Sequence, residues 1–322
     1  MCIKRAIGIG AITSMVILFF TLSAFGFVKG DVNGDDQVGI EEAIYSLQTA
    51  SNFKFPLSSK TINVPSEIPT IQEAVDAAAE GDTIKIAEGT YNEALKITRK
   101  ALVLRGDDRA TTIINNGGTG HGIEIDNSPG VVIENLTIQN FEKGIYSPQN
   151  STIRMYQVTV KDCADSGVYL TNNSYAEIED SSIEQNGEKN PEPKGDGINV
   201  CSNSGIELKG LVECLNNGRY GLLILNSIAF LKRGNVVDKD AILKTSSNGD
   251  SGLKIVSSSN FYAEDATIEI RDNQISGIYV GLSSSTHIYE SRDLPIGTNT
   301  LSIENNSGTG IGVYLSSALH SN

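Results

Sequence analysis

With 39 acidic and 25 basic side chains in 322 residues, the chain carries a formal net charge of −14 and an isoelectric point near 4.7. That balance argues against nucleic-acid binding, which needs a basic footprint. It also repels polyanionic polysaccharides unless local lysines or bound cations offset the field.

Residues 1–26 have the pattern of an export signal: Lys4 and Arg5, an uncharged apolar run from Ala6, and a small-residue cleavage site at Ala24-Phe25-Gly26. Loss of Lys4 and Arg5 takes the formal charge from −14 to −16. The uncharged run continues to Val28, 23 residues in all, a length that also spans a membrane if it is not cleaved. In both readings the rest of the chain is exported, to the cell surface, the periplasm or the medium. Cys2 leaves with a cleaved leader. Cys163, Cys201 and Cys214 are then an odd number with no CxxC pair, which indicates neither a disulfide framework nor a zinc site. They are expected to be small apolar residues of the interior.

Residues 27–51 contain GDVNGDDQVGIEEAIYSLQTAS. Asp31, Asn33, Asp35, Gln37, Gly39 and Glu42 occupy positions 1, 3, 5, 7, 9 and 12 of a calcium loop. Calcium takes six to eight hard oxygen ligands. Asp31, Asn33 and Asp35 offer side-chain oxygens, Gln37 its backbone carbonyl, and Glu42 two carboxylate oxygens. Position 6, usually glycine, is Asp36. Ala43, Ile44 and Leu47 follow at helical spacing. The segment resembles one repeat of a dockerin, a calcium loop followed by a helix. Dockerins carry two such repeats, so the single copy does not extend the resemblance to a cohesin-type partner.

After a linker at 52–60, the expected third region is a β-helix domain at 61–322, with an N-terminal cap at 61–110 and repeat coils at 111–315. Pro69 and Thr70 precede a helix that places Ile71, Ala74, Val75 and Ala78 on one face, with Gly81 as its stop. Strand-like TIKIA, ALKITRKALVLRG and TTII follow. From His121 a Gly-aliphatic-x-aliphatic unit occurs eight times. Its glycines are Gly122, Gly144, Gly167, Gly197, Gly221, Gly252, Gly277 and Gly310, spaced 22 to 33 residues apart. Such a period marks a stacked-coil solenoid. Period-two alternation turns the aliphatic columns inward, broken only at Ser147. A second strand set ends at Asn140, Asp162, Asn217, Asn273 and Asn306, which suit a recurring corner. The eighth copy is followed only by YLSSALHSN, leaving an edge for that tail, further chain or a partner to close.

The helix and repeats at 61–315 resemble pectinesterase-like and other pectin-lyase-like proteins, in which a short helix caps the coils. The resemblance implies an all-β fold, a right-handed parallel β-helix.

Two columns of the repeat are expected to face solvent. Glu124, Tyr146, Tyr169 and Asn199 fall on adjacent coils, where flat rings beside hydrogen-bonding groups suit a sugar. Strand propensity of tyrosine alone accounts for the same pattern. The catalytic candidates are His121, Lys143 and Asp196. Gly120-His121-Gly122 resembles the GHG segment of polygalacturonases, and Gly195-Asp196-Gly197 their Asn-Thr-Asp-Gly segment. His121 and Asp196 lie three coils apart, however, about 14 Å at ~4.8 Å per coil. No second carboxylate shares the Asp196 column, and the Asp-Asp and Arg-x-Lys segments of that family are absent. The Arg-rich segment of pectate lyases, the Gly-Asn-x-Asp-Phe segment of pectinesterases and the Asp-Pro-His-Asp segment of mannuronate epimerases are absent too. Three readings stand: an exported calcium-binding β-helix with a polysaccharide-binding face, a polysaccharide lyase or glycoside hydrolase of the pectin-lyase-like superfamily, and an adhesin-like surface protein.

Overall fold

A computed structural model describes residues 59–188, 194–233, 241–289, 300–313 and 318–321. The leader, the linker before residue 59 and the calcium loop, with Asp31, Asn33, Asp35, Gln37 and Glu42, lie outside the described residues.

From Thr61 the strands stack coil upon coil into a parallel β-helix, in one nine-stranded and one 16-stranded sheet. The nine-stranded sheet holds all eight Gly-aliphatic units, from His121–Asp126 to Ile311–Val313, preceded by Leu95–Thr98. Ala94 occupies the glycine position in that first strand, which is why the repeat pattern does not reveal it. Single residues with left-handed backbone, Asn135, Gln157, Asp180, Gly210 and Asp265, fold the 16-stranded sheet into two limbs. Asn and Asp tolerate that conformation better than bulkier side chains.

The register stacks like on like. Ile123 pairs with Ile145, then Val168, Ile198, Leu222, Leu253 and Ile278, and all are fully buried. Each such side chain contributes about 1.5–3 kcal/mol of transfer free energy. Ser147 also points inward without disrupting the column, because its hydroxyl donates to Ser174 Oγ at 2.8 Å. The three described cysteines are buried and unpaired, as expected. Burial pushes the Cys163 thiol up to about 12, which leaves it unreactive.

Two polar ladders close the corners. Asn186, Asn217, Asn248, Asn273 and Asn306 stack so that each Nδ2 donates to the Oδ1 of the next, at 2.9–3.2 Å. The same Oδ1 atoms accept the preceding coil's backbone N–H, which satisfies those buried backbone donors. This divides the corner column expected from the sequence. Asn217, Asn273 and Asn306 belong to the ladder, whereas Asn140 and Asp162 sit one residue earlier, in left-handed backbone at φ 58 and φ 55. Their ladder positions are taken by Phe141 and Cys163. At another corner Ser204, Ser227, Ser259 and Ser284 accept backbone N–H groups from the coil before at 3.1–3.3 Å, a ladder the sequence does not announce.

The repeat glycines follow from the close stacking of coils beside this corner. A Cβ at Gly197 would lie 2.6 Å from both Gly221 O and Asn217 Nδ2, and one at Gly144 would lie 2.7 Å from Gly167 O. Glycine is required by close approach of neighbouring coils and not by an unusual φ.

Helix α1 covers Ile71–Ala77, and Ile71, Ala74, Val75 and Ala78 are buried as expected. It ends before Gly81, because Ala78 turns to extended backbone and Ala79 N donates to Asp82 Oδ2. Glu93 accepts from the first helical N–H groups, and Lys100 Nζ donates to Val75 O and Asp76 O at the other end. Each charge complements the helix dipole. Beyond the last repeat, Ala318–Ser321 adds a strand parallel to Ser285–Tyr289.

Candidate functional site

The outer face of the nine-stranded sheet carries the two columns singled out in the sequence. Register places Lys96, Glu124, Tyr146, Tyr169, Asn199, Leu223, Lys254 and Tyr279 side by side along the coils. In the neighbouring column His121 pairs with Lys143.

Over the first repeat coils the rings meet. The centroids of His121 and Tyr146 are 4.5 Å apart with planes at 60°, and those of Tyr146 and Tyr169 are 5.8 Å apart in an edge-to-face arrangement. Lys143 Nζ lies 6.0 Å and 5.5 Å from the two tyrosine centroids. Within this range a cation is attracted to an aromatic face. The same ammonium pairs with Asp165 at 2.8 Å and Glu142 at 3.3 Å. Burial pulls the lysine pKa down, but the bonds and charges of Asp165 and Glu142 outweigh it, and the net shift is upward. Burial also raises the Tyr169 phenol, whose oxygen lies 3.6 Å from Cys201 Sγ. His121 Nδ1 is buried with no hydrogen-bond partner among the described residues.

Two expectations need correction on the next coils. Asp196 and Asn199 do not face solvent: they are 0% and 7% exposed. Arg219 grips Asp196 with two bonds, Nε to Oδ1 and Nη2 to Oδ2, both 2.8 Å, and Asn199 Nδ2 donates to Oδ2 at 2.8 Å. Burial pushes the Asp196 carboxyl up against the lowering by Arg219 and Asn199, while Arg219 itself is raised, chiefly by its bond to Asp196. Further along, Lys254 Nζ lies over the Tyr220 and Tyr279 rings at 4.5 Å and 5.0 Å. Tyr220, Leu223 and Val256 form a small apolar cluster outside the main core.

The geometry therefore joins His121, Lys143, Tyr146 and Tyr169 and separates them from Asp196. Glu124 is not part of a cluster with Lys143, because its carboxylate pairs with Lys96 at 2.8 Å.

A family model described as "right handed beta helix region" matches residues 80–237. Among solved structures, pectate lyase Pel9A aligns with a TM-score of 0.55 at 12% identity, over 81% of this chain and 80% of that one. The fold is a right-handed parallel β-helix, like that of Pel9A. An alginate lyase from Paenibacillus sp. str. FPU-7 aligns with a TM-score of 0.40 at 16% identity, covering 82% of this chain and 99% of the lyase. ORF18 of Geobacillus virus E2 gives 0.48 at 15% identity, over 88% of this chain and 64% of that one. No curated protein sequence matches the chain.

In this β-helix the ring-and-cation face spans adjacent coils spaced about 4.8 Å apart, so one pyranose ring can touch side chains from more than one coil. Nothing in the sequence marks Asp165 or Glu142 as partners of Lys143. Both precede a repeat glycine by two residues, in a column that also holds Arg219, Asp250 and Ile275 and so carries no uniform charge. The described residues contain no group of three or more His, Cys, Asp or Glu placed to hold a metal ion, and no helix among them is long and apolar enough to cross a membrane.

Proposed function

We propose that this protein is an exported, calcium-binding β-helix that binds polysaccharide along the outer face of its nine-stranded sheet, with no catalytic step assigned to it. The observation that carries the reading is the unbroken contact of His121, Tyr146 and Tyr169 with Lys143 across adjacent coils. Rings offer the apolar faces of a sugar a surface, and the ammonium and carboxylates at the rim offer its hydroxyls donors and acceptors. The aligned Pel9A structure is named as a pectate lyase, which agrees with a polysaccharide as ligand. A lyase reading would need Lys143 or His121 to take a proton. Lys143 is held as an ammonium by two carboxylates, which is the wrong charge state for a base.

Calcium belongs to the N-terminal loop. The all-oxygen donor set of Asp31, Asn33, Asp35, Gln37 and Glu42 suits a hard cation.

The test is a glycan array followed by calorimetry on the best ligand. Tyr146→Ala is expected to weaken binding about tenfold, with neither new reducing ends nor 235 nm absorbance appearing. Cleavage abolished by Lys143→Ala would establish the enzyme reading instead, and no glycan binding at all would leave the adhesin-like one. Separately, calcium titration should give heat that Asp31→Ala removes.

A further inference from the structure

The second limb of the 16-stranded sheet carries a groove that the ring face does not use. Its floor is a column of hydroxyls, Thr137, Thr159 and Ser182, in direct register on successive coils and continued by Glu213. Arg109 lies across it. The Arg109 carbonyl accepts from Thr137 Oγ1 at 2.7 Å, its Nε donates to Thr159 Oγ1 at 2.6 Å, and its Nη1 donates to the Asp180 carbonyl at 3.2 Å. One arginine from the first coils thus spans three later strands. Its guanidinium has five N–H donors, and these bonds use two of them.

Two adjoining depressions, about 520 Å³ and 380 Å³, both contain Arg109 and Glu213 in their walls. Their volumes lie in the range of small-ligand sites. Glu184 lines the larger one, and its carboxylate has no ion pair or hydrogen bond among the described residues. Glu213 reaches Lys244 only at 4.0 Å. Arg109 is held partly out of water: burial lowers its pKa, while Glu184, Glu213 and Asp180 act in the opposite sense. A half-buried fork with donors to spare, facing the Glu184 carboxylate and the loosely paired Glu213 over a hydroxyl floor, is a hydrogen-bonding surface with both signs of partner.

We infer that this groove is a second saccharide site, distinct from the ring face, which takes a neutral hexose chain through Arg109, Ser182, Glu184 and Glu213. Neutral sugars are favoured by charge. Asp108, Asp180, Glu184 and Glu213 outnumber Arg109 and Lys161 along the walls, so a uronate would be repelled. Vicinal hydroxyls accept from the arginine fork and donate to the glutamates at once. From the Thr137 strand to the Glu213 strand the groove crosses four coils, about 14 Å at ~4.8 Å per coil, which gives room for a short run of pyranose rings. It offers no aromatic platform, so binding is weaker and more dependent on linkage geometry than at a ring face.

The test uses the full chain carrying Tyr146→Ala and Tyr169→Ala, so that failure of the ring face does not affect the outcome. Calorimetry and saturation-transfer NMR are run with cellohexaose, mannohexaose, maltohexaose and hexagalacturonate. At least one neutral hexasaccharide is expected to bind, with affinity reduced about tenfold by Glu184→Ala and less by Glu184→Gln. The melting temperature should fall only slightly, because the Glu184 carboxylate makes no hydrogen bond or ion pair among the described residues and acts on the fold only through its charge near Arg109. Binding unchanged in Glu184→Ala, preference for hexagalacturonate, or no neutral probe binding would each overturn the inference.

Discussion

The outer face of the nine-stranded sheet is built from one repeat, yet its two halves behave differently. Over the early coils His121, Tyr146 and Tyr169 are half-buried and meet at tilted angles. Over the next coils Asp196, Asn199, Tyr220 and Leu223 occupy the same columns and are buried. The residues of these columns stay in register in both halves, so the difference lies in the substituents. Where Arg219 reaches a carboxylate in the column, charge and ring seal together. Where Lys143 reaches only carboxylates at the rim, the rings stay accessible. A solenoid can thus change the use of a face between neighbouring coils without changing its backbone.

Substitutions should separate the two halves. The largest effect is expected at Gly197→Ala, whose Cβ would press on Gly221 O and Asn217 Nδ2. Gly221 O is backbone and Asn217 Nδ2 is held by two hydrogen bonds, so a loss of about 3 kcal/mol is expected by chemical denaturation. Asp196→Ala should rank next, at about 3 kcal/mol or slightly less, because it leaves the partly buried Arg219 without its carboxylate. Hydrogen exchange should show the loss centred on the strand Ile198–Cys201 and its neighbours, since coils contact mainly the coils next to them. In both variants glycan binding at the Tyr146 face should survive, and its loss would show that the two halves are one unit.

Tyr146→Ala reverses the pattern. Its ring contacts contribute about 0.5–1.5 kcal/mol beyond area burial, so stability should fall modestly while glycan affinity falls about tenfold. A still smaller effect is expected on the first limb of the 16-stranded sheet, which lies apart from both halves. There Glu207 bonds to Lys209 at 3.1 Å and accepts from the Tyr175 hydroxyl at 2.9 Å. Burial acts to raise its pKa, but Lys209, Tyr175 and Lys232 outweigh it and the carboxyl sits below its usual value of 4.5. Its stabilising contribution is therefore present above pH 4.5 and lost as pH falls through the lowered value. Glu207→Gln should cost less than about 1 kcal/mol at neutral pH after solvent screening. It should also flatten the drop in melting temperature below pH 4.5. A drop as steep as in the parent would remove Glu207 from the acid response.

The sequence made the inward ladders legible because each copy repeats Gly-aliphatic-x-aliphatic, and period two admits only one face. The polar corners were partly legible. Asparagine serves both a left-handed turn and a side-chain ladder, so Asn140 and Asn217 looked alike until backbone and hydrogen bonds separated them. Serine gave no signal, since it occurs in any loop. Asp196 was expected in solvent because Arg219, 23 residues later, carries no mark that it turns back onto that carboxylate. The Arg109 groove was hidden for the same reason. Its contacts join residues 50 and 71 positions apart, and no local pattern encodes such a reach.

The asparagine ladder has a consequence for how such a chain can change. Its rungs lie 31, 31, 25 and 33 residues apart, yet their hydrogen-bond lengths agree to within 0.3 Å. Each rung resets the frame, so residues added between corners do not accumulate as an error down the stack. Coils of this kind accept grafted loops of different lengths at one address while the neighbouring addresses keep their register.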